Sequence, residues 1–390
     1  MNNITQTLLT ATQYALKQQL VQVKVEDEPS FFKAMLNSGL AGVILPYIDT
    51  KAYSPKFIQK TNGVLFDFIN KDTQQQALII KIKSLFQTHQ IDHIFLKGTK
   101  LKTLYKASYM RGMGDVDILV RSDLDVIKAL FKELNIKLES RSLQHDQYIT
   151  EDNLLIEIHP SIHKDFNPKY QTYFKGAWEN ASLVVGCEYT LNPTFEVIYL
   201  LYHLAKHIES SGIGLRSLLD IGIYLQKYDT QIDLKALNET LILLKMDKFY
   251  NTVLYLNKVY FDLDVPISNQ GFIMSETLLE ETTAYFITSG IHGKGDTFNN
   301  MAPRLAASEN KGKSKFKVLW RIVFPKMVDA RGMYPVLHKH GYLYPVLMVH
   351  RLFRLIVIKN KSSLKKIRNL NESSMKRNEI EKLFDDIGIY

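Results

Sequence analysis

Gly112-Met113-Gly114-Asp115-Val116-Asp117-Ile118-Leu119-Val120 joins a glycine-containing turn to an apolar run and carries two carboxylates two residues apart. The apolar run predicts a strand, in which residues i and i+2 point to the same face. Asp115 and Asp117 therefore project together from a strand end. Like charges so close repel unless a cation lies between them or one takes up a proton. Oxygen-only ligands at this spacing suit Mg²⁺, which binds through one or two carboxylates plus substrate phosphates. An isolated Asp-x-Asp is more often a solvated strand end, so the flanking segments decide.

Upstream, Ile94-Phe95-Leu96-Lys97-Gly98-Thr99-Lys100-Leu101 reads as a short strand turning into a helix through Leu101, Leu104 and Tyr105. Glycine permits close backbone approach, and a helix start after a strand offers free N–H groups to phosphate. Lys97 and Lys100 add positive charge. Downstream, Leu154-Leu155-Ile156-Glu157-Ile158-His159-Pro160 is a second apolar strand, broken at alternate positions by an acid and a histidine. An acid in a buried strand is costly unless paired or metal-bound, which makes Glu157 a candidate third carboxylate.

Together these segments resemble the nucleotidyltransferase superfamily of the DNA-polymerase-beta type, and more closely the bacterial uncharacterised nucleotidyltransferase family. The matching text is Lys97-Gly98 to Tyr105, Arg111 to Val120, and Glu157-Ile158-His159, with a weaker likeness over Tyr199 to Asp220. The chain departs from the superfamily pattern in the long spacing between Gly98-Thr99 and Asp115 and in having Glu as third acid. The resemblance implies an α/β (α+β) core with a mixed sheet, flanked by mainly helical N- and C-terminal regions. It implies nucleotidyl transfer from an NTP, with ATP foremost, assisted by one or two Mg²⁺ or Mn²⁺ ions on Asp115, Asp117 and Glu157. Lys97, Gly98, Thr99, Arg111 and Lys206 would hold the nucleotide. The acceptor is open among a sugar, a protein and an RNA, and the likeness favours surface-polysaccharide biosynthesis. A nucleotide-binding pseudo-enzyme, a nucleic-acid-binding protein and a non-enzymatic partner protein with the carboxylates on its surface are the rival readings.

The chain has 390 residues, 46% hydrophobic and 11% aromatic, enough for a folded protein with two or three domains. Its one cysteine, Cys187, excludes an internal disulfide framework and a cysteine zinc cluster. The opening Met1-Asn2-Asn3-Ile4-Thr5-Gln6 lacks the segments of a secretory leader, and no apolar stretch spans a bilayer. A cytoplasmic protein is expected, with a peripheral position at the inner membrane surface left open by the basic C-terminal region.

Four regions are expected: helical 1–84, the catalytic core 85–190, a helical domain 191–310 completing the cleft, and a basic, aromatic, helical 311–390. Ile4, Leu8, Ala11 and Ala15 repeat at helical spacing, as do Leu78, Ile79, Ile82, Leu85 and Phe86. Residues 124–134 read as a helix after the Asp-x-Asp strand, and 136–140 and 147–150 as short strands. Asn192-Pro193 signals a helix start. On that helix Tyr199, His203, Lys206 and His207 share a face that suits either the cleft or solvent. His203 and His207 lack the intervening Glu of a zincin motif, which argues against zinc. Arg216 and Asp220, four apart, read as a surface pair or as a brace for the cleft, to which His159 is also assigned. Turn signals stand at 269–271 and 293–296, and 302–315 reads as a loop.

From Lys311 to Arg368 there are 15 Lys/Arg and one acid, Asp329, within a chain of net charge +9. Trp320, Phe324, Tyr342, Tyr344 and Phe353 are interleaved. Basic plus aromatic suits single-stranded nucleic acid, an anionic membrane surface, or a helical layer with a solvated basic face.

Overall fold

The computed structural model describes residues 3–142, 145–162, 168–210, 212, 214–265, 272–290, 303, 306–307, 317, 320, 323–327, 330, 334–357 and 377–389. The Asp-x-Asp run forms β2 (Asp115–Val120) near the middle of a seven-stranded sheet. The other strands are β1 (His93–Phe95), β3 (Lys137–Arg141), β4 (Asp146–Ile149), β5 (Leu155–His159), β6 (Ala181–Val185) and β7 (Glu188–Leu191). Their order is β3-β4-β5-β2-β1-β7-β6. β2 runs parallel to β5 and β1 to β7, while the remaining pairs are antiparallel. The sheet is mixed, as the resemblance implies.

Strand alternation gives the sheet two different faces. Val116 and Ile118 stand beside Ile156 and Ile158 of β5, with Tyr148 of β4 next in line, all fully buried. This face is sealed by the C-terminal half of α4 (Pro55–Thr88) and by α6 (Leu124–Glu133), through Leu78, Ile82, Phe86, Ile127 and Phe131. Phe86 stacks on Phe131 at 6.0 Å, and Phe131 meets Tyr148 edge-on at 4.8 Å. Burying each such side chain contributes roughly 1.5–3 kcal/mol, so the face fixes the register of the strands.

The opposite face carries Ile94 and Leu119 into a larger core. That core holds α8 (Pro193–Ser210), α9 (Arg216–Tyr228), α10 (Leu234–Leu244) and α11 (Asp247–Phe261). It also holds the N-terminal α1 (Asn3–Leu16), α2 (Glu28–Ser38) and α3 (Ala41–Ile44). α8 starts where expected: Asn192 Oδ1 accepts from Phe195 N–H at 2.8 Å, and Pro193 opens the first turn. Nearly every side of α8 is buried, which marks it as the central helix. Further helices are α5 (Gly98–Leu101), α7 (Pro168–Lys175) and α12 (Glu276–Ser289).

Residues 377–387 are helical and return to the larger core: Phe384 packs on Tyr285 at 5.7 Å, and Thr252 Oγ1 donates to Ile387 O at 3.0 Å. The helix Tyr344–Val357 exposes Val346, Val349 and Phe353. The turn signals at 269–271 and 293–296, most of the 302–315 loop and the lysines of 359–366 lie outside the described residues. Among the described residues no helix is long and apolar enough to cross a membrane.

α3 is pressed against the loop that leads to Asp115. A Cβ on Gly42 would stand 2.4 Å from the carbonyl oxygen of Met110, a backbone atom that cannot swing aside. Gly42→Ala is therefore expected to destabilise the chain by roughly 1–3 kcal/mol in urea unfolding. An unchanged midpoint would show that the loop gives way freely.

Candidate active site

In-register pairing of β2 with β5 sets Asp117 directly opposite Glu157, with Asp115 one side-chain step along the same face. Carboxylate oxygens of the three lie within 4.8 Å of one another. β1 ends beside them, where Leu96 N–H donates to Asp117 O at 3.0 Å. The next residue, Lys97, has φ 38° and ψ −104°, a backbone conformation that costs a residue with a Cβ on the order of 1–3 kcal/mol. Its ammonium lies 3.5 Å from Asp117 Oδ1 and 5.8 Å from the centre of the Tyr199 ring. His159 Nε2 lies 2.9 Å from the same Asp117 oxygen.

Burial alone would raise the pKa of Asp117, but the Lys97 ammonium and the His159 contact outweigh it and hold the carboxyl well below its usual range. Glu157 goes the other way. Burial, then the charges of Asp117 and Asp115, push it up to about 7. Burial would lower the pKa of Lys97, and the surrounding carboxylates, Asp117 first, reverse that and raise it.

The loop 111–114 that delivers Asp115 is clamped from two sides. Arg111 is buried and binds Asp220 of α9 with both prongs, Nε to Oδ1 and Nη2 to Oδ2, each at 2.8 Å. Tyr105 OH donates to Asp220 Oδ1 at 2.8 Å. Arg216 donates to Gly112 O at 2.6 Å and stands 4.0 Å from Asp220. Asp220 thus braces the cleft mainly through Arg111 rather than through its helical neighbour. From α4, Gln75 donates to Met113 O at 3.0 Å and accepts from the buried Lys102 at 3.1 Å. Ser108 Oγ donates to Asp72 Oδ2 at 2.6 Å.

This clamp changes how some sequence-predicted residues are used. Arg111 lines the cleft, yet its hydrogen-bonding fork is committed to Asp220. Gly98 also lines it, and a Cβ there would meet Met113 Sδ at 2.7 Å and Arg111 Nη1 at 3.2 Å, so a side chain would have to push Met113 aside. The Thr99 hydroxyl turns to Met113 Sδ at 3.7 Å. Lys100 binds the buried Glu196 and donates to Thr190 Oγ1 at 2.9 Å, so its charge is spent behind the cleft.

The cleft encloses about 390 Å³. Its walls bring together Lys97, Asp115, Asp117, Glu157 and His159 with His203, Lys206 and His207 of α8 and Arg216 and Asp220 of α9. The α8 face read from the sequence therefore looks into the cleft. His203 and His207 approach each other at 3.0 Å between Nε2 atoms. Burial, then Lys97, hold His203 well below its usual pKa, so it is neutral. Neither ring belongs to a group of three or more potential metal ligands among the described residues. His145, the residue before β4, also lines the cleft and is absent from the sequence reading. Only strand pairing, which sets it beside His159, makes it visible.

The family model described as "Uncharacterised nucleotidyltransferase" matches residues 29–262, more than half of the chain. The chain belongs to that family. No curated protein and no solved structure matches it. The general activity is thus nucleotidyl transfer. The matched segment ends at the last turn of α11, so it contains the sheet, α8, α9 and every cleft residue named above.

Two outcomes test the electrostatics. The folded pKa of Glu157 is raised, so the stability tied to its protonated form is present below the unfolded carboxylate range. It is lost as pH rises toward about 7. Glu157→Gln should accordingly raise the melting temperature of the metal-free protein at pH 8, with a smaller gain near pH 5; equal gains at both would refute the assignment. Asp220→Ala leaves the Arg111 guanidinium buried without its partner, and about 3–5 kcal/mol should be lost in denaturant unfolding. A loss under about 1 kcal/mol would mean that Arg111 reaches solvent.

Proposed function

We propose that the cleft transfers a nucleoside monophosphate from an NTP, ATP foremost, to a hydroxyl or phosphate acceptor in a Mg²⁺-dependent reaction. The observation that carries this is the convergence of Asp115, Asp117 and Glu157 on one sheet face beside Lys97. The donor set is all carboxylate oxygen, the ligand type of a hard divalent cation, and Glu157, its pKa raised by burial and then by Asp117 and Asp115, stands where a cation would offset that repulsion. Asp115, Asp117 and Glu157 would hold the ion, or Mn²⁺ in its place. Bound there, the ion would polarise the α-phosphate and lower the pKa of an acceptor hydroxyl.

The chain's own groups do the rest. Lys97, after β1, and Lys206, on α8, both line the cleft and offer positive charge to the triphosphate. Arg111 and Asp220 hold the loop that aims Asp115, so their contribution is positional. Gly98 leaves room for the Met113 side chain, which lines the cleft beside it. The acceptor enters between the sheet and α8, and a sugar phosphate of surface-polysaccharide synthesis is the acceptor class we favour.

Pyrophosphate release from ATP with Mg²⁺, measured with sugar phosphates or RNA supplied, tests the reading. Asp115→Asn and Asp117→Asn should each lower the rate by about three orders of magnitude or more, because a metal ligand contributes several kcal/mol to the transition state. Circular dichroism should show both variants folded. Undiminished release would remove the carboxylates from the mechanism, and stimulation by RNA alone would replace the sugar acceptor.

A further inference from the structure

Beyond that carboxylate position, the same face of the sheet carries a second group of ligand atoms of different chemistry. The antiparallel pairing of β4 with β5 sets Gln147 opposite Glu157 and brings His145 alongside His159. The two imidazole rings stand 5.3 Å apart between centroids. Glu157 lies between them and offers one oxygen to each: Oε1 is 3.6 Å from His145 Nε2, and Oε2 is 3.6 Å from His159 Nε2. Both separations exceed a hydrogen bond. They approach the spacing of neighbouring ligands on one ion, roughly 3.3 Å for tetrahedral bonds of about 2.0–2.1 Å. Ligand atoms of His145, Glu157 and His159 lie within 4.8 Å of one another.

We propose that His145, Glu157 and His159 form a second cation position that takes a divalent transition-metal ion rather than Mg²⁺. Imidazole nitrogen suits zinc, cobalt and iron, and two imidazoles with one carboxylate is a donor set those ions use. Mg²⁺ favours an oxygen shell and competes poorly there.

The position is firmly built. The ring of His145 is carried on a backbone held at both ends. His145 N–H donates to Ser142 Oγ at 3.0 Å, and His145 O accepts from Ser142 N–H at 3.0 Å. The next residue, Asp146, is fully buried and gripped by Arg141, Nε to Oδ1 at 2.9 Å and Nη2 to Oδ2 at 2.7 Å. Glu157 belongs to both positions. His159 Nε2 serves either Asp117 Oδ1 or the second ion, so filling the second position takes the ring away from that oxygen, which still faces Lys97.

Co²⁺ is the probe, added to the full-length metal-free chain in a large excess of Mg²⁺ and followed by visible absorption and calorimetry. One Co²⁺ per chain should remain bound. His145→Ala should weaken this Mg²⁺-resistant binding by at least about tenfold, whereas Asp115→Asn should leave it nearly unchanged. Displacement of all Co²⁺ by Mg²⁺, or equal retention in His145→Ala, would overturn the proposal. Should His145→Ala fold poorly, His145→Gln gives a second route. Paramagnetically shifted imidazole signals should come from two rings in the parent chain and from one in the variant, and two in both would also overturn it. Because the readout is cobalt binding, failure of nucleotidyl transfer leaves this result standing, and absence of a cobalt site leaves the nucleotidyltransferase reading to its own pyrophosphate-release test.

Discussion

Pairing of β2 with β5 in parallel register puts Asp117 against Glu157, and the rest of the molecule is arranged to make that contact tolerable. Two carboxylates at neighbouring positions on one sheet face repel, and removal from water makes the repulsion worse. A slip of one residue would separate them, but it would also turn Val116 and Ile118 out of the sealed face. Those residues share a buried cluster with Ile82, Phe86, Ile127 and Phe131, and exposing them would forfeit several kcal/mol. The apolar face thus enforces a polar face that would not assemble by itself.

Compensation comes from outside the sheet. Lys97 is held in an unfavourable backbone conformation, and the strain is balanced by its approach to Asp117 and Tyr199. Arg111 carries a charge into the interior and is matched by Asp220, which belongs to α9. Breaking such a buried pair is costlier than never having formed it. α9 is therefore tied to the loop before Asp115 by a charge, a tyrosine hydroxyl and the Arg216 bond to Gly112. The helical layer is a working wall of the cleft and cannot shift without moving Asp115.

What the sequence reveals follows from how local each signal is. The strand of Asp115 and Asp117, the strand of Glu157 and the helix starting at Asn192 were legible, because each rests on period or capping within one segment, and the mixed-sheet core followed from the family resemblance those segments carry. The partners of charged residues were not. Lys100 and Lys97 look equivalent in sequence, yet one is spent on Glu196 of α8 and the other faces Asp117. Arg216 and Asp220 look like a helical pair, but Asp220 prefers Arg111, more than a hundred residues away in sequence. Thr99 looks like a phosphate ligand, and its hydroxyl turns to a methionine sulfur. His145 carries no motif at all, and it reaches the cleft only through the register of β4 on β5.

Charge balance in the cleft also bears on how it is filled. Arg111 and Asp220 cancel each other, His203 is neutral, and burial and His159 lower the His145 ring to about 4, so it too is neutral near pH 7. That leaves Asp115, Asp117 and Glu157 facing Lys97, Lys206 and Arg216 on the walls. A divalent cation arriving alone would leave the cleft positive and would compete with Lys97 for Asp117. A triphosphate arriving alone would place its negative charge beside three carboxylates. On the proposed reading each ligand removes the electrostatic objection to the other, so cation and nucleotide should bind with mutual enhancement, and reciprocally so because the coupling is one free energy. The same reasoning assigns Lys97 two partners in turn: Asp117 while the cleft awaits its ligands, and phosphate oxygen once a cation has claimed the carboxylate.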